Sequence, residues 1–397
     1  MPASSVVFEP PLYLDACATT PLTQAARLAM DQAHELAWGN PSSLHGFGLA
    51  ALESLERSRW LTAELLGTTP EAVHFCSGAT ESVHLALLGL AEAFALPARL
   101  VISAVEHPAL VAAAEQLSRK GWQVCTLPVD ATGRVLLEQL QALLQPPTRL
   151  VSVMAAQSEV GTVQPIDAIA SLCRAAGVLF HSDAVQLVPH QPLLFDASGI
   201  DLLTLTAHKL GGPRGIGALL VRPACLPLFK PQLGGGSQEQ GLRAGTEAVA
   251  LAAGFAAALQ QRLQWLASDQ ALALRQQRDE LLAAVLAMPG VHLSGPDPAH
   301  QERLPHHISL TAQSATGRPL SGRSLVRALW QQGVAASSGS ACSSGAGDTA
   351  PSRVLLAMGY PPEQAAAGLR LSLLPDVDAR QLRQLPAALQ AAMVACG

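Results

Sequence analysis

Seven short apolar runs, spaced by helix-like stretches, restrict this chain to very few architectures. From about residue 72 they are Ala72–Cys76, Leu100–Ser103, Gln123–Leu127, Leu150–Met154, Val178–Ser182, Leu202–Thr206 and Gly217–Val221. Between them Thr80–Phe94, Pro108–Lys120, Leu136–Leu144 and Ile166–Ala176 read as amphipathic helices. Alternating elements with continuously apolar strands predict an α/β fold: a mostly parallel sheet covered by helices on both faces. Ligands of such sheets collect at the carboxyl ends of the strands, so the polar residues just beyond each run are the ones to inspect.

After Thr246 the texture changes. An Ala/Leu/Gln-rich helical stretch runs from about Glu247 to Met288, with a break expected near Ser268-Asp269. A smaller α+β portion follows: strands His306–Thr311 and Gly368–Leu373, helices Gly322–Gln332 and Ser352–Met358, and a last helix from about Asp378. Residues 294–323 read as an irregular connection. A chain of 397 residues is long enough for two domains, and the boundary is expected within the long helix, near residue 266.

Composition excludes several classes. A net charge of −5, with charged residues only 14% of the chain, argues against nucleic acid or an anionic membrane as partner. No apolar run reaches the roughly 18 residues of a membrane span, and no basic stretch followed by an apolar one marks a secretory leader. The seven cysteines (17, 76, 125, 173, 225, 342 and 396) include no C-x-x-C pair. That predicts a reducing, cytoplasmic setting with neither a disulfide framework nor a metal site. Six of the seven are expected to act as small buried hydrophobes.

Only three lysines occur, Lys120, Lys209 and Lys230. Lys209 stands in Asp201–Val221, which reads as a buried strand, a His-Lys turn, a glycine loop and another strand. A chain sparing of lysine that keeps one at the end of a core strand points to chemistry at the amine, most simply a Schiff base with pyridoxal phosphate. The other strand ends supply candidate partners. Ser77-Gly78-Ala79-Thr80-Glu81-Ser82 is a small-residue turn opening a helix, either a phosphate cradle or an ordinary N-cap. His107, before Pro108, can cap its helix or lie against a planar cofactor. Asp183 ends a strongly apolar strand, where a carboxylate needs a partner; a protonated pyridine nitrogen would serve, and Gln186 could then bond a phenolic oxygen. Asp183 and Lys209 could otherwise form a structural salt bridge, but the phosphate cradle on the same edge favours the cofactor.

Two further features stand apart. Ser337–Gly347 is small, polar and glycine-rich around Cys342, an unusual setting for a thiol unless its reactivity is used. Arg370 sits in the apolar strand Leu369-Arg370-Leu371-Ser372, where it requires an anion: a substrate carboxylate held bidentately, or an internal Asp or Glu.

These motifs together resemble the cysteine desulfurases of the class V aminotransferase superfamily, over nearly the whole chain. Tyr13-Leu-Asp15-Ala-Cys-Ala-Thr19-Thr20-Pro21, Gly39-Asn40-Pro41-Ser42-Ser43-Leu44-His45, Ser77–Ser82, Glu106-His107, His181–Gln186, Ala207–Gly217, Gly241–Thr246 and Ser337–Ser344 occur in family order. The cysteine loop resembles the long-loop subgroup that includes the NifS and IscS types.

The resemblance implies the fold of type I pyridoxal-phosphate enzymes. Residues 1–14 would join the small domain, 15–266 form the large cofactor-binding domain, and 267–397 the small domain with a cysteine loop at about 335–350. It implies that Lys209 holds pyridoxal 5′-phosphate covalently and moves the substrate Cα proton, that Asp183 pairs with the pyridine nitrogen and Gln186 with the phenolic oxygen, and that His107 stacks on the ring. Gly78, Ala79, Thr80, Thr206 and His208 would bind the phosphate, and Thr246 would reach the phosphate in the second subunit of a homodimer. Arg370, with Asn40 a weaker neighbour, would hold the carboxylate of L-cysteine. Cys342 would take the sulfur as a persulfide for a partner protein of unspecified identity, in iron–sulfur cluster assembly or another thiolation route.

Four positions depart from the family pattern. Gln157-Ser158 replaces Asn-Asn, where the second Asn usually touches cofactor and substrate; His84 stands where Asn is common. One residue is inserted in Gly234–Gly241, with Gln240 for the usual Arg, and Ala16-Cys17 replaces Tyr/Asn and Ser/Ala. The alternatives are a cysteine, cystine or selenocysteine lyase, a class V aminotransferase, and a non-catalytic scaffold for a sulfur-relay partner.

Overall fold

The computed structural model describes residues 10–339 and 350–397. The chain enters through β1 (Leu12–Tyr13). It then builds β2 (Val73–Cys76), β3 (Arg99–Ser103), β4 (Gln123–Leu127), β5 (Thr148–Ser152), β6 (Leu179–Asp183), β7 (Leu202–Thr206) and β8 (Gly217–Val221). These seven form one sheet in the order β2-β8-β7-β6-β5-β3-β4. β8 runs antiparallel to both neighbours, and every other pairing is parallel.

Neighbouring residues of one strand point to opposite faces, and here each face has its own core. Val101, Leu203 and Leu220 pack with Ile169 and Phe255 on one side. Their neighbours Leu100, Leu202 and Leu219 pack with Leu110 and Leu117 on the other. Helices cover both faces, which explains why the strands are continuously apolar.

Two helices precede the region where the alternation is evident. Gln24–Leu36 is capped by Thr23, whose hydroxyl accepts from the Ala26 N–H, and Gly46–Leu65 by His45, whose Nδ1 accepts from the Gly48 N–H. Both lie against the helix Val249–Leu266. The expected helix from Thr80 begins at Ala79 and passes into a π turn at Leu85–Gly89. The long Ala/Leu/Gln stretch breaks where expected: Val249–Leu266 ends, Ser268 is extended, and Asp269–Leu286 begins.

The short β11 (Val334–Ala335) aside, a second sheet follows, with β9 (Val291–Leu293), β10 (His307–Ala312), β12 (Ser337–Ser338) and β13 (Gly368–Ser372). Its order is β12-β13-β10-β9, all antiparallel, while β11 pairs in parallel with β1. Its core combines Leu12 and Leu14 from the beginning of the chain with Leu281, Ile308, Leu371 and Leu389. Asp15 bridges to Ser372, so the same segment runs from the small sheet towards the large one. No helix among the described residues is long and apolar enough to cross a membrane.

Candidate active site

The carboxyl ends of β2, β3, β5, β6 and β7 open on one edge of the large sheet, and the polar residues singled out above lie there. β7 ends at Thr206 and turns directly into Ala207-His208-Lys209. The Lys209 Nζ donates to the carbonyl oxygens of Cys17, at 2.5 Å, and Ala18, at 2.7 Å. Among the described residues it has no ion-pair partner within 4.0 Å. Desolvation draws the amine down to about 8, helped by the charge of Arg370 and opposed by Cys17, Asp15 and Asp183. A sizeable neutral fraction near neutrality is what a nucleophilic amine requires.

Residue 17 is the junction of the site. Its carbonyl also accepts from Gln186 Nε2 at 3.0 Å, and its N–H donates to Ser372 Oγ at 2.9 Å. Its thiol lies 3.2 Å from His306 Nε2. Burial pushes the thiol pKa up, against the charge of Arg370 and the Ser372 bond. Among the other described cysteines, 76, 173 and 225 are buried and 125 and 396 partly buried.

Asp183, at the end of β6, is 7% exposed, and its Oδ1 accepts from the Val185 N–H at 3.0 Å. Burial raises its pKa, against the Val185 bond and the neighbouring His107 and Lys209. A buried carboxylate so placed gains from a cationic partner. His107 caps the helix Pro108–Arg119, its Nδ1 accepting from the Ala109 N–H at 3.2 Å, while the residue stays exposed at the mouth. Capping therefore leaves the residue accessible to solvent.

The Ser77-Gly78 turn is shaped by close backbone approach. Gly78 has φ 153°, and a Cβ on Gly217 of β8 would stand 2.8 Å from its Cα. Two glycines thus allow β8 to press against the turn. Ala79 is partly buried, and Thr80 is exposed. The Ser77 N–H donates to Glu81 Oε2 at 2.7 Å, and Arg243 pairs with Glu81 at 2.9 Å. Thr206 Oγ1 donates to the Ile216 carbonyl at 3.3 Å and lies 4.0 Å from the Cβ position of Gly78. His208 Nδ1 is 3.2 Å from Thr19 Oγ1; burial, with Lys209 and Arg214, lowers it to about 4, so it is neutral.

Arg370 lies in the centre of β13, in register with Ser309 and Ser337. Its Nη2 meets Asp15 Oδ1 at 2.7 Å, its Nη1 donates to the Ser158 carbonyl at 3.3 Å, and its buried Nε has no partner among the described residues. The internal ion pair is therefore present, and the guanidinium keeps unused donor capacity.

Ser158 takes part through its backbone: its carbonyl also lies 2.9 Å from His307 Nε2. The Gln157 side chain is engaged by the Val105 carbonyl at 3.2 Å and the Val160 N–H at 3.2 Å. His84 Nδ1 contacts the Thr80 carbonyl at 2.8 Å. Asn40 is exposed and accepts from the Ser42 N–H at 2.9 Å, so its side chain stabilises its own turn. Thr246 is exposed, just ahead of the helix Val249–Leu266. Ser337 and Ser338 form β12 beside Arg370; Cys342 lies outside the described residues.

Sequence reasoning missed several supports. Asp15 and Cys17 act from the opposite end of the chain. Glu239, 5% exposed, sits at φ 48° beside Gln240 at φ 57°, within the insertion. It pairs with buried Arg59 at 2.6 Å and accepts from the Phe75 N–H at 2.8 Å, fixing β2 just before the Ser77 turn. Only the family-length mismatch at Gly234–Gly241 signalled it.

Residues 12–385 match the family described as Aminotransferase class-V. The chain belongs to that family. Among class-V relatives it is similar to cysteine desulfurase IscS of Dictyoglomus turgidum, 37% identical over 91% of this chain and 89% of that protein. It is likewise similar to an IscS-like cysteine desulfurase of Mycobacterium tuberculosis, 40% identical over 97% and 99%. The solved structure titled NifS-like protein superposes with a TM-score of 0.86 at 30% identity, covering 97% of this chain and 99% of that one.

Proposed function

We propose that this chain is a pyridoxal-phosphate-dependent cysteine desulfurase. The observation that carries the reading is Lys209: a desolvated amine held on two backbone carbonyls at the end of β7, electrostatically coupled to buried Asp183 and to Arg370.

The residues fit the cofactor. Asp183 would face the pyridine nitrogen, Gln186 the phenolic oxygen and His107 the ring. Gly78, Ala79, Thr80, Thr206 and neutral His208 would surround the phosphate, with Thr246 reaching the phosphate of the second subunit. When bound, pyridoxal phosphate stabilises negative charge at the substrate α-carbon. Lys209 Nζ, partly neutral near pH 8, takes the Cα proton of L-cysteine. Arg370 orients the substrate carboxylate, with the Ser158 carbonyl bracing its Nη1; Asn40 is the weaker neighbour. Cys342 attacks the substrate sulfur. The Cβ–S bond breaks, an S–S bond forms, and L-cysteine plus the Cys342 thiol become L-alanine plus a Cys342 persulfide.

The exposed apolar side chains Leu36, Trp38, Leu44 and Phe47 suit burial in a homodimer. The separate core around the second sheet suits a division near residue 266, with residues 1–14 on the small side. A sulfur-acceptor protein and a cytoplasmic setting complete the reading.

The test is a single turnover with L-cysteine and no reductant, followed by intact-mass analysis of wild type and Cys342→Ala. Alanine release with a sulfur-sized gain on wild type alone is expected. Pyruvate with no adduct would make the protein a lyase, and no turnover with cofactor bound would favour the scaffold.

A further inference from the structure

Cys17 is bonded from both sheets. Its carbonyl takes the Lys209 amine at 2.5 Å and Gln186 Nε2 at 3.0 Å, both just beyond strands of the large sheet. Its N–H donates to Ser372 Oγ of β13 at 2.9 Å, and its sulfur lies 3.2 Å from Nε2 of His306, the residue directly before β10. The His306 carbonyl accepts from the Leu373 N–H at 2.9 Å, which ties the histidine backbone to the end of β13. The fully buried His306 ring is stacked on that of His190, with centroids 3.4 Å apart and planes 11° apart. His190 belongs to the same turn after β6 as Gln186. Burial holds both imidazoles well below their ordinary pKa of 6.5, so the two rings stack without like-charge repulsion.

We propose that His306 is a positioning residue for Lys209: through the Cys17 sulfur it sets the carbonyl that receives the amine, while the His190 ring keeps the imidazole in plane. This deepens the desulfurase reading, on which its catalytic meaning rests. The argument is one of peptide geometry. The bond from the Cys17 N–H to Ser372 fixes the peptide plane before Cα, because that plane is rigid. It leaves rotation about N–Cα, which swings the side chain and the carbonyl carbon together. Holding the sulfur at His306 stops that rotation and so places the carbonyl. The small sheet, through Ser372 and His306, thereby governs how the amine of the large sheet is seated.

The test exploits the chain's three lysines, since Lys120 and Lys230 are exposed and serve as internal references for Lys209. Full-length protein, before cofactor loading, is trace-labelled with acetic anhydride across a pH range, and the lysine peptides are quantified by mass. Cys17→Ala removes the sulfur, Cys17→Ser keeps a hydrogen-bonding atom, and His306→Phe keeps a ring for His190 but loses Nε2. Desolvation is the main reason the Lys209 amine titrates near 8, so a displaced carbonyl that admits water moves the labelling midpoint upward. Cys17→Ala and His306→Phe are each expected to lower the acid dissociation constant of Lys209 about fivefold, the worth of one such bond. The double variant should go no further than either single one, Cys17→Ser should recover most of the change, and the midpoints of Lys120 and Lys230 should not move. An unchanged Lys209 midpoint in both single variants, additive effects in the double variant, or equal shifts at the reference lysines would overturn the proposal. If wild type takes up no pyridoxal phosphate, the desulfurase reading fails, and the labelling midpoints still decide whether His306 acts on Lys209.

Discussion

Arg370 Nη2 and Asp15 Oδ1 meet at 2.7 Å although 355 residues separate them in the chain. The pair holds the guanidinium in place on an interior strand of the small sheet, with donor capacity left for a second, incoming carboxylate. A bidentate grip is a property of the arginine fork that lysine lacks. Arg370→Lys is expected to raise KM for L-cysteine about ten- to a hundredfold, with cofactor uptake unchanged by absorbance. An unaltered KM would remove Arg370 from the carboxylate subsite.

The amine of Lys209 titrates near 8 in the folded protein, against a model-compound value of 10.5. Because the fold favours the neutral form, the burial penalty on the charged amine is fully present below about pH 8 and fades as pH rises towards 10.5. The neutral amine is the nucleophile, so apoprotein should take up pyridoxal phosphate faster with rising pH and level off above about 8. Stopped-flow absorbance from pH 6.5 to 9.5 measures this. A rate still climbing tenfold per unit at pH 9.5 would mean that the amine is not depressed.

The buried Arg59–Glu239 pair supports the turn after β2 from beneath. Removing one partner leaves the other charge buried, at a cost of about 3–5 kcal/mol. Glu239→Ala is expected to lose that much in urea unfolding. Arg59→Met combined with Glu239→Leu should recover part of the loss, since a neutral pair carries no stranded charge. The Phe75 N–H would still lack its acceptor, so recovery should be incomplete.

The apolar side chains Trp38 and Phe47, 65% and 59% exposed, form a surface pair with ring centroids 4.9 Å apart, and Leu36 and Leu44 are exposed as well. Sedimentation equilibrium of the loaded enzyme is expected to give twice the monomer mass, and Trp38→Glu to shift it towards monomer. A wild-type monomer at micromolar concentration would exclude the dimer.

The seven strands of the large sheet were legible because strands buried on both faces must be apolar throughout. Strand ends then pointed to Asp183, His107 and Lys209 without knowledge of the tertiary contacts. The helix Gly46–Leu65 was harder to see, because Phe47, Leu49, Leu52 and Trp60 keep apolar groups on its exposed side and blur its periodicity. Cys17 was legible only as an unusual residue near the substrate; what it contributes is a carbonyl oxygen, which every residue possesses. Glu239 and Asp15 were hidden for another reason, since their partners are fixed by topology and not by spacing along an element.

The segment from Leu12 to Thr20 also bears on biosynthesis. Its first residues pair with Val334 and Ala335, Asp15 reaches Arg370, and the carbonyls of Cys17 and Ala18 receive the amine of Lys209. A nascent chain can assemble the large sheet once Val221 has left the ribosome, but its amino-terminal segment then lacks the strands that seat it. Such long-range contacts close last. The cluster of Asp15, Cys17, Lys209 and Arg370 is therefore finished only after residue 372 emerges, and in an incomplete polypeptide the amine of Lys209 lacks the Arg370–Asp15 pair beside it.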